Sequence, residues 1–239
     1  MIPGSKVLSH DKLACQWVKD LMTVGIIITS KRKIQMTDLF STANMIEAAK
    51  YAIAVPVILV VLGLIIHFLD SFLTDLIARV TNSAVAFIIR NYLTYPGTIH
   101  HELSHALFVL ITGAKLEKIN LIPKGTMLGS VEFRARGNFI QKSIQLSLSA
   151  IAPVICGATS LILMIYAVLP HCREVWHYIL FIYIFISIFF HMTMSTQDIV
   201  NFLKGFPICL LILFIIFLFF KPDLGSMLAL IRAHAPFKV

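Results

Sequence analysis

Long apolar runs dominate the hydrophobic pattern of this chain. Four of them are clear, at 51–69, 147–169, 175–190 and 206–220. The first is long enough to cross a bilayer, which takes about 20 apolar residues in a helix. The last is uncharged but short, so we expect its helix to include flanking residues on one side or to lie at a slant. Four such runs in one small chain predict a helical membrane bundle instead of a soluble domain.

The pattern of residues 72–95 allows two interpretations. Apolar residues recur there at helical spacing, with charged residues on another face. The segment is either a surface helix that runs into 84–89 or a further span with polar residues facing the interior. The predicted number of transmembrane helices is five or six, according to whether this segment crosses the membrane. Pro96 and Gly97 then interrupt the pattern and predict that the next helix starts close to Thr98.

The period of the pattern changes over 115–136. Apolar and polar residues alternate in two short stretches, and Pro123, Gly125 and Gly129 lie between them. This alternation predicts a β-hairpin. The expected fold is therefore an all-α integral-membrane bundle of about five or six transmembrane helices, with one small membrane-associated β-hairpin.

The same pattern divides the chain into four parts. These are a polar and amphipathic N-terminal appendage, N-terminal transmembrane and linking helices, a core, and a C-terminal transmembrane helix with a tail. Their predicted bounds are 1–50, 51–95, 96–203 and 204–239. No cleavage site follows an early apolar run, so we expect the first span to act as the membrane signal and to stay in place.

Composition and charge agree with a membrane protein. Only 13% of the residues are charged, against about a quarter in a soluble domain. The net charge of +8 could indicate nucleic acid, but the basic residues cluster before the first span and around the hairpin, as in cytoplasmic loops. We therefore expect a lipid bilayer and no nucleic acid as partner. The four cysteines form neither a disulfide framework nor a CxxC metal pattern.

Residues 101–105 read HELSH, an HExxH sequence that carries the most specific chemistry in the chain. Residues four apart lie on one face of a helix, so His101 and His105 can reach one tetrahedral zinc ion. Glu102 lies beside them, where it can take a proton from the attacking water and return it to a leaving amine. The alternative is a polar cluster that neighbouring helices satisfy, although such groups are costly at membrane depth.

A zinc site of this kind needs a third protein ligand, and Asp198 is the best candidate. It lies in a polar island, residues 195–198 (STQD), between two apolar runs. An aspartate at such a position suggests a function. The alternative is a short water-exposed loop. Asp198 shares helical spacing with His191, a possible hydrogen-bond partner of a ligand or substrate, and with Asn201, a possible donor to the tetrahedral oxyanion. The other candidates for the third ligand are His67, Asp70, Asp75, His100, Glu132, His171, Glu174, His177 and His191 itself.

The stretch 96–107, PGTIHHELSHAL, followed by TGA at 112–114, resembles the site-2-protease family of intramembrane zinc metalloproteases, especially its compact bacterial branch. The hairpin and the stretch 150–157 are similar to the next elements of that family. The resemblance covers 96 to about 203. Better-known members carry the third ligand in an Asn-Pro-Asp-Gly or Leu-Asp-Gly motif, whereas no glycine follows Asp198 here.

The resemblance implies hydrolysis of a peptide bond in a transmembrane or membrane-proximal segment of another protein. It implies Zn²⁺ as cofactor, with His101, His105 and Asp198 as ligands and Glu102 as general base. It also implies a multi-pass protein of the bacterial cytoplasmic membrane. The hairpin could bind the unwound substrate segment as an added strand.

Two alternatives remain open at this stage. A CaaX-type membrane zinc protease takes a glutamate from a later helix, and Glu174 is the one acidic residue between 142 and 197. A non-catalytic metal-binding scaffold or a zinc-handling transporter would have no need of a base at Glu102. The sequence specifies neither a regulatory partner nor an oligomeric state.

Overall fold

A computed structural model describes residues 39–122 and 129–220, which are mainly helical. The first three helices are α1 (Thr42–Val80), α2 (Ser83–Ile88), which continues as a π-helical turn (Ile89–Leu93), and α3 (Tyr95–Ile111). The strands β1 (Lys115–Asn120) and β2 (Ser130–Arg134) follow. The helix α4 (Phe139–Leu163) comes next and is extended by a π-helical turn (Met164–Val168) and a 3-10 turn (Leu169–His171). The last two helices are α5 (Val175–Phe190) and α6 (Thr196–Phe219). Most of the predicted appendage, Pro123, Gly125 and the end of the predicted tail lie outside the described residues.

The described residues belong to two compact units, one comprising 39–51 with 214–220 and the other 52–213. In the first unit, the side-chain amide of Asn44 donates to the carbonyl oxygens of Leu39, at 2.7 Å, and Leu218, at 3.4 Å. The second unit contains the HExxH helix and the hairpin.

Three described helical segments are long and apolar enough to cross a bilayer, namely Thr42–Val80, Phe139–His171 and Thr196–Phe219. The 175–190 run forms α5, whose 16 residues span only about 24 Å, less than the roughly 30 Å of a hydrocarbon core. The predicted count of five or six spans is therefore not reproduced. Large apolar side chains such as Phe68 and Val80 are 75% and 78% exposed. Such exposure is compatible with a membrane protein.

Residues 72–95 do not form one continuous helix. The helix α1 continues to Val80, and the helical path then breaks before α2. The hydroxyl of Thr81 donates to the Ile77 carbonyl oxygen at 2.6 Å, and the side chain of Asn82 accepts from the main chain of α2 as its N-cap. The Thr81 N–H donates to the same carbonyl at 2.9 Å, so the hydroxyl reinforces the last main-chain bond of α1, and Asn82 supplies an acceptor for the first turn of α2.

The predicted hairpin after the motif helix is confirmed. Strands β1 and β2 pair antiparallel, with Lys115 opposite Arg134 and Asn120 opposite Ser130. The motif helix α3 starts at Tyr95, three residues before the predicted start. A proline in the first helical turn needs no hydrogen-bond acceptor, so the helix forms around it instead of after it.

The linker 192–195 between α5 and α6 is anchored by two methionines whose side chains are almost fully buried. Met192 fills the space beside Gly157 of α4, and Met194 fills the space beside Gly63 of α1. A β-carbon at either glycine would meet the methionine side chain. Close packing of this kind fixes the linker relative to both helices.

Candidate metal centre

Three predicted ligand side chains converge on one point. His101 and His105 lie one turn apart on α3, and Asp198 lies in the first turn of α6. The two Nε2 atoms are 3.1 Å apart, and Nε2 of His105 is 3.7 Å from Oδ1 of Asp198. All three potential ligand atoms lie within 4.8 Å of one another. Ligand atoms of a tetrahedral zinc ion stand about 3.3–3.6 Å apart, so the set needs little adjustment to hold one.

Main-chain carbonyl groups orient both imidazole rings. Nδ1 of His101 lies 2.7 Å from the carbonyl oxygen of His191, and Nδ1 of His105 lies 2.7 Å from that of Ser149. A carbonyl oxygen only accepts, so each neutral ring carries its hydrogen on Nδ1 and has a lone pair on Nε2. Two lone pairs and a carboxylate facing one another repel unless a cation lies between them. This donor set, with the rings fixed from behind, fits a zinc ion.

Ser195 orients the third candidate ligand. Its main-chain N–H and its hydroxyl donate to Oδ2 of Asp198, at 2.9 Å and 2.7 Å. The N–H of Asp198 in turn donates to the Ser195 hydroxyl oxygen at 3.2 Å. This reciprocal arrangement resembles a capping box at the start of α6 and leaves Oδ1 facing His105. The Asp198 side chain is only 11% exposed, whereas Ser195, Thr196 and Gln197, the other residues of the polar island, are exposed.

The prediction that His191, Ser195, Asp198 and Asn201 or Phe202 follow one helix is wrong for His191, whereas Asp198, Asn201 and Phe202 all lie on α6. The helix α5 ends at Phe190, and a non-helical linker separates it from α6. Serine at the N-cap position competes with the main chain for hydrogen bonds and so starts a new helix there. The Oδ1 atom of Asn201 accepts from Nε2 of Gln197 at 3.1 Å on an exposed part of α6. Its role toward an oxyanion stays a prediction.

His191 contributes through its main chain. Its ring lies 2.9 Å from the Ser187 carbonyl oxygen through Nδ1 and 3.1 Å from the Thr98 hydroxyl through Nε2. These contacts hold the C-terminal end of α5 against α3. Gly97 makes the approach possible, because a β-carbon there would meet the Ser187 carbonyl and the His191 ring. The His191 carbonyl is thereby kept within reach of His101.

The side chain of Glu102 projects from α3 toward the residue that precedes β2. Glu102 follows the first histidine directly and is 8% exposed. The main chain at Gly129, just before β2, packs against its carboxyl end. The candidate base is therefore next to the ligands and largely shielded from solvent.

Three other ionisable candidates have different partners. Oδ2 of Asp70 accepts from the guanidinium group of Arg90, with Nε at 2.8 Å. Nε2 of His100 is 2.9 Å from the Ser160 hydroxyl, and the side chain of Glu174 caps α5. Among the described residues, His101, His105 and Asp198 are the one group of histidine, cysteine or acidic side chains arranged to hold a metal ion.

Comparison of the chain with protein-family models, with curated proteins and with solved structures found no match. The residues of the centre and the sequence around them are therefore the basis for assigning its chemistry.

Proposed function

We propose that this chain is an intramembrane zinc-dependent endopeptidase of the site-2-protease type. The supporting observation is the convergence of His101, His105 and Asp198, three residues chosen from sequence, with both ring tautomers suited to a metal. Three long apolar helical segments support a membrane setting for this centre.

The reaction proposed is hydrolysis of a peptide bond. A zinc ion held by the three side chains would supply a Lewis acid for the scissile carbonyl and for a water molecule. Glu102 accepts a proton from the attacking water and gives it to the nitrogen of the leaving amine, so its carboxylate is restored in each turnover. Its 8% exposure limits exchange of that proton with bulk water.

The substrate class follows from the membrane setting. A transmembrane helix hides its amides in internal hydrogen bonds, so it must unwind before one of them can be attacked. Within the part of the chain that the structure describes, the sheet consists of β1 and β2, and each strand has one edge that no other described strand pairs with. An unwound segment that adds to such an edge keeps its main chain hydrogen-bonded beside the centre.

Metal content and cleavage test this proposal together. We would purify the full chain in detergent as wild type, His105→Ala, Asp198→Ala and Glu102→Gln. We expect about one zinc ion per chain in the wild type and in Glu102→Gln, and strong loss in the two ligand variants. Membrane proteins trapped by Glu102→Gln should be cleaved when they are offered to the wild type. The matched control is Glu174→Gln, which should retain both zinc and cleavage.

Each alternative predicts a different result. Wild-type protein that binds no zinc when zinc is supplied would reject the metal centre. Full function in Glu102→Gln would favour a scaffold or a zinc transporter, which needs no base. If Asp198→Ala is the one ligand variant that retains zinc, another residue supplies the third ligand. Loss of cleavage in Glu174→Gln would favour a CaaX-type protease.

A further inference from the structure

Pro153 removes a hydrogen-bond donor from the interior of α4 directly behind the candidate metal centre. In an α-helix, each main-chain N–H donates to the carbonyl oxygen four residues earlier. Pro153 is a fully buried residue inside α4 and has no N–H. The carbonyl group of Ser149 is therefore left without its usual helical donor.

Nδ1 of His105 occupies that position. It lies 2.7 Å from the Ser149 carbonyl oxygen, in a buried contact between α3 and α4. The hydroxyl of Ser149 is not used for this, because it donates to the Leu146 carbonyl oxygen at 3.2 Å. The contact thus depends on the main chain of Ser149, and on the proline that leaves its carbonyl available.

The other ring is held in an analogous way. The carbonyl of His191, which accepts from His101, belongs to the C-cap of α5, where the helix has ended. The N–H four residues later is that of Ser195, and it donates to Asp198 instead. Each imidazole therefore docks on a carbonyl group that lacks a helical donor, in one case through a helix end and in the other through a proline.

We infer that Pro153 is a positioning residue of the metal centre, which fixes the tautomer and orientation of His105 by keeping the Ser149 carbonyl free. That the oriented ring serves a zinc ion rests on the proposed function. The contact itself and the tautomer that it selects do not depend on it.

The substitution Pro153→Ala tests the inference because it returns the missing N–H. The new donor competes with His105 for the Ser149 carbonyl, so zinc affinity should fall about 10–100-fold, as for the loss of other groups that orient a ligand. The Tm of the metal-free protein should stay the same or rise, since alanine favours a helix interior and proline does not. Zinc affinity and metal-free Tm would be measured on the purified full chain.

Two matched variants separate this role from general packing. Pro207→Ala restores a donor inside α6, at a proline whose freed carbonyl is that of Leu203, and it should leave zinc affinity unchanged. Ser149→Ala removes the hydroxyl but retains the carbonyl, so it too should bind zinc as the wild type does. Equal zinc affinity in Pro153→Ala and wild type would overturn the inference.

Nitrogen NMR of ¹⁵N-histidine provides a readout that needs neither zinc nor substrate. In the metal-free wild type, the His105 ring should be in the Nδ1–H tautomer, and in Pro153→Ala the Nε2–H form should appear. If the wild type binds no zinc but Pro153→Ala still shifts the His105 tautomer, the proposed function is rejected and the inference is sustained. An unchanged tautomer would contradict it, as would loss of the fold in both Pro153→Ala and Pro153→Gly, since a restored helical bond should not unfold the helix.

Discussion

The main chain at Gly129 lies against the side chain of Glu102, so closely that a β-carbon on Gly129 would stand 2.7 Å from Cγ and 3.0 Å from Oε1. Among the described residues, Gly113 and Gly137 have positive φ angles and Gly129 does not. The fold therefore requires the absence of a side chain at this position, not an unusual backbone. The hairpin and the candidate base share a contact that any larger residue would disturb.

We expect Gly129→Ala to lower the Tm of the otherwise unchanged protein by about 2–4 °C, because the added methyl group collides with Glu102. In a Glu102→Ala background the atoms that it would meet are gone. There the same change should be neutral or stabilising, since alanine has less backbone entropy to lose than glycine. Thermal unfolding of the wild type, the two single variants and the double variant measures the coupling between Gly129 and Glu102.

Ser130→Ala serves as the control for Gly129→Ala, because it changes the adjacent residue without adding an atom next to Glu102. Equal losses of Tm from Gly129→Ala in both backgrounds would show that the contact with Glu102 is not the cause.

Ser195→Ala should weaken the metal centre without removing a ligand. It deletes the hydroxyl that donates to Oδ2 of Asp198 and caps α6. We expect zinc affinity to fall about 10–100-fold and the free energy of unfolding to fall by about 1 kcal/mol. Competition with a chelator and chemical denaturation measure the two effects. Ser195→Thr retains a hydroxyl and should stay near the wild type; a Thr variant as weak as the Ala variant would rule out the hydroxyl as the cause.

Asp70→Asn should destabilise the protein by breaking a buried ion pair. The Asp70 side chain is 8% exposed and that of Arg90 is 33% exposed. We expect a loss of about 3 kcal/mol in the free energy of unfolding, at the lower end for a buried pair because Arg90 is partly solvated. Asp75→Asn, at an exposed position of the same helix, should change it by less than about 0.5 kcal/mol. Similar effects of the two variants would argue against a special role for the pair.

Proline scanning of β1 tests whether the hairpin binds substrate as an added strand. Successive N–H groups of a strand alternate in direction, so of Lys118 and Ile119 one donates toward β2 and the other points outward. Proline at the outward position should reduce cleavage about tenfold or more while sparing zinc, because it removes a donor that only the substrate would use. Cleavage at the wild-type rate in both proline variants would exclude strand addition at this edge.

The sequence was sufficient to predict those parts of the centre that depend on residue type and spacing. The i, i+4 histidines placed two rings on one face of α3, and the polar island drew attention to Asp198. Alternation of apolar and polar residues was enough to locate the hairpin. Helix lengths were harder to predict, because α1 extends well beyond its apolar run while α5 is shorter than a bilayer.

Main-chain contacts account for most of what the sequence did not reveal. His191 was chosen for its ring, yet its carbonyl group meets His101. The carbonyl of Ser149 is likewise independent of residue type at its own position. A signal did exist for the latter, since the proline four residues after it could have been read as freeing that carbonyl. The Asp70–Arg90 pair joins two helices, and residue spacing carries no information about such distant partners.

The position of His191 and Asp198 late in the chain has a consequence for biosynthesis. A nascent polypeptide that ends before residue 190 already contains both histidines and Glu102, but neither the carbonyl that orients His101 nor the aspartate that completes the set. The proposed hydrolytic centre therefore cannot be assembled until the last core helix has been made and has packed beside α3 and α4. In a protease of the proposed kind, such an order of assembly would prevent cleavage of neighbouring proteins before α6 has been synthesised and packed.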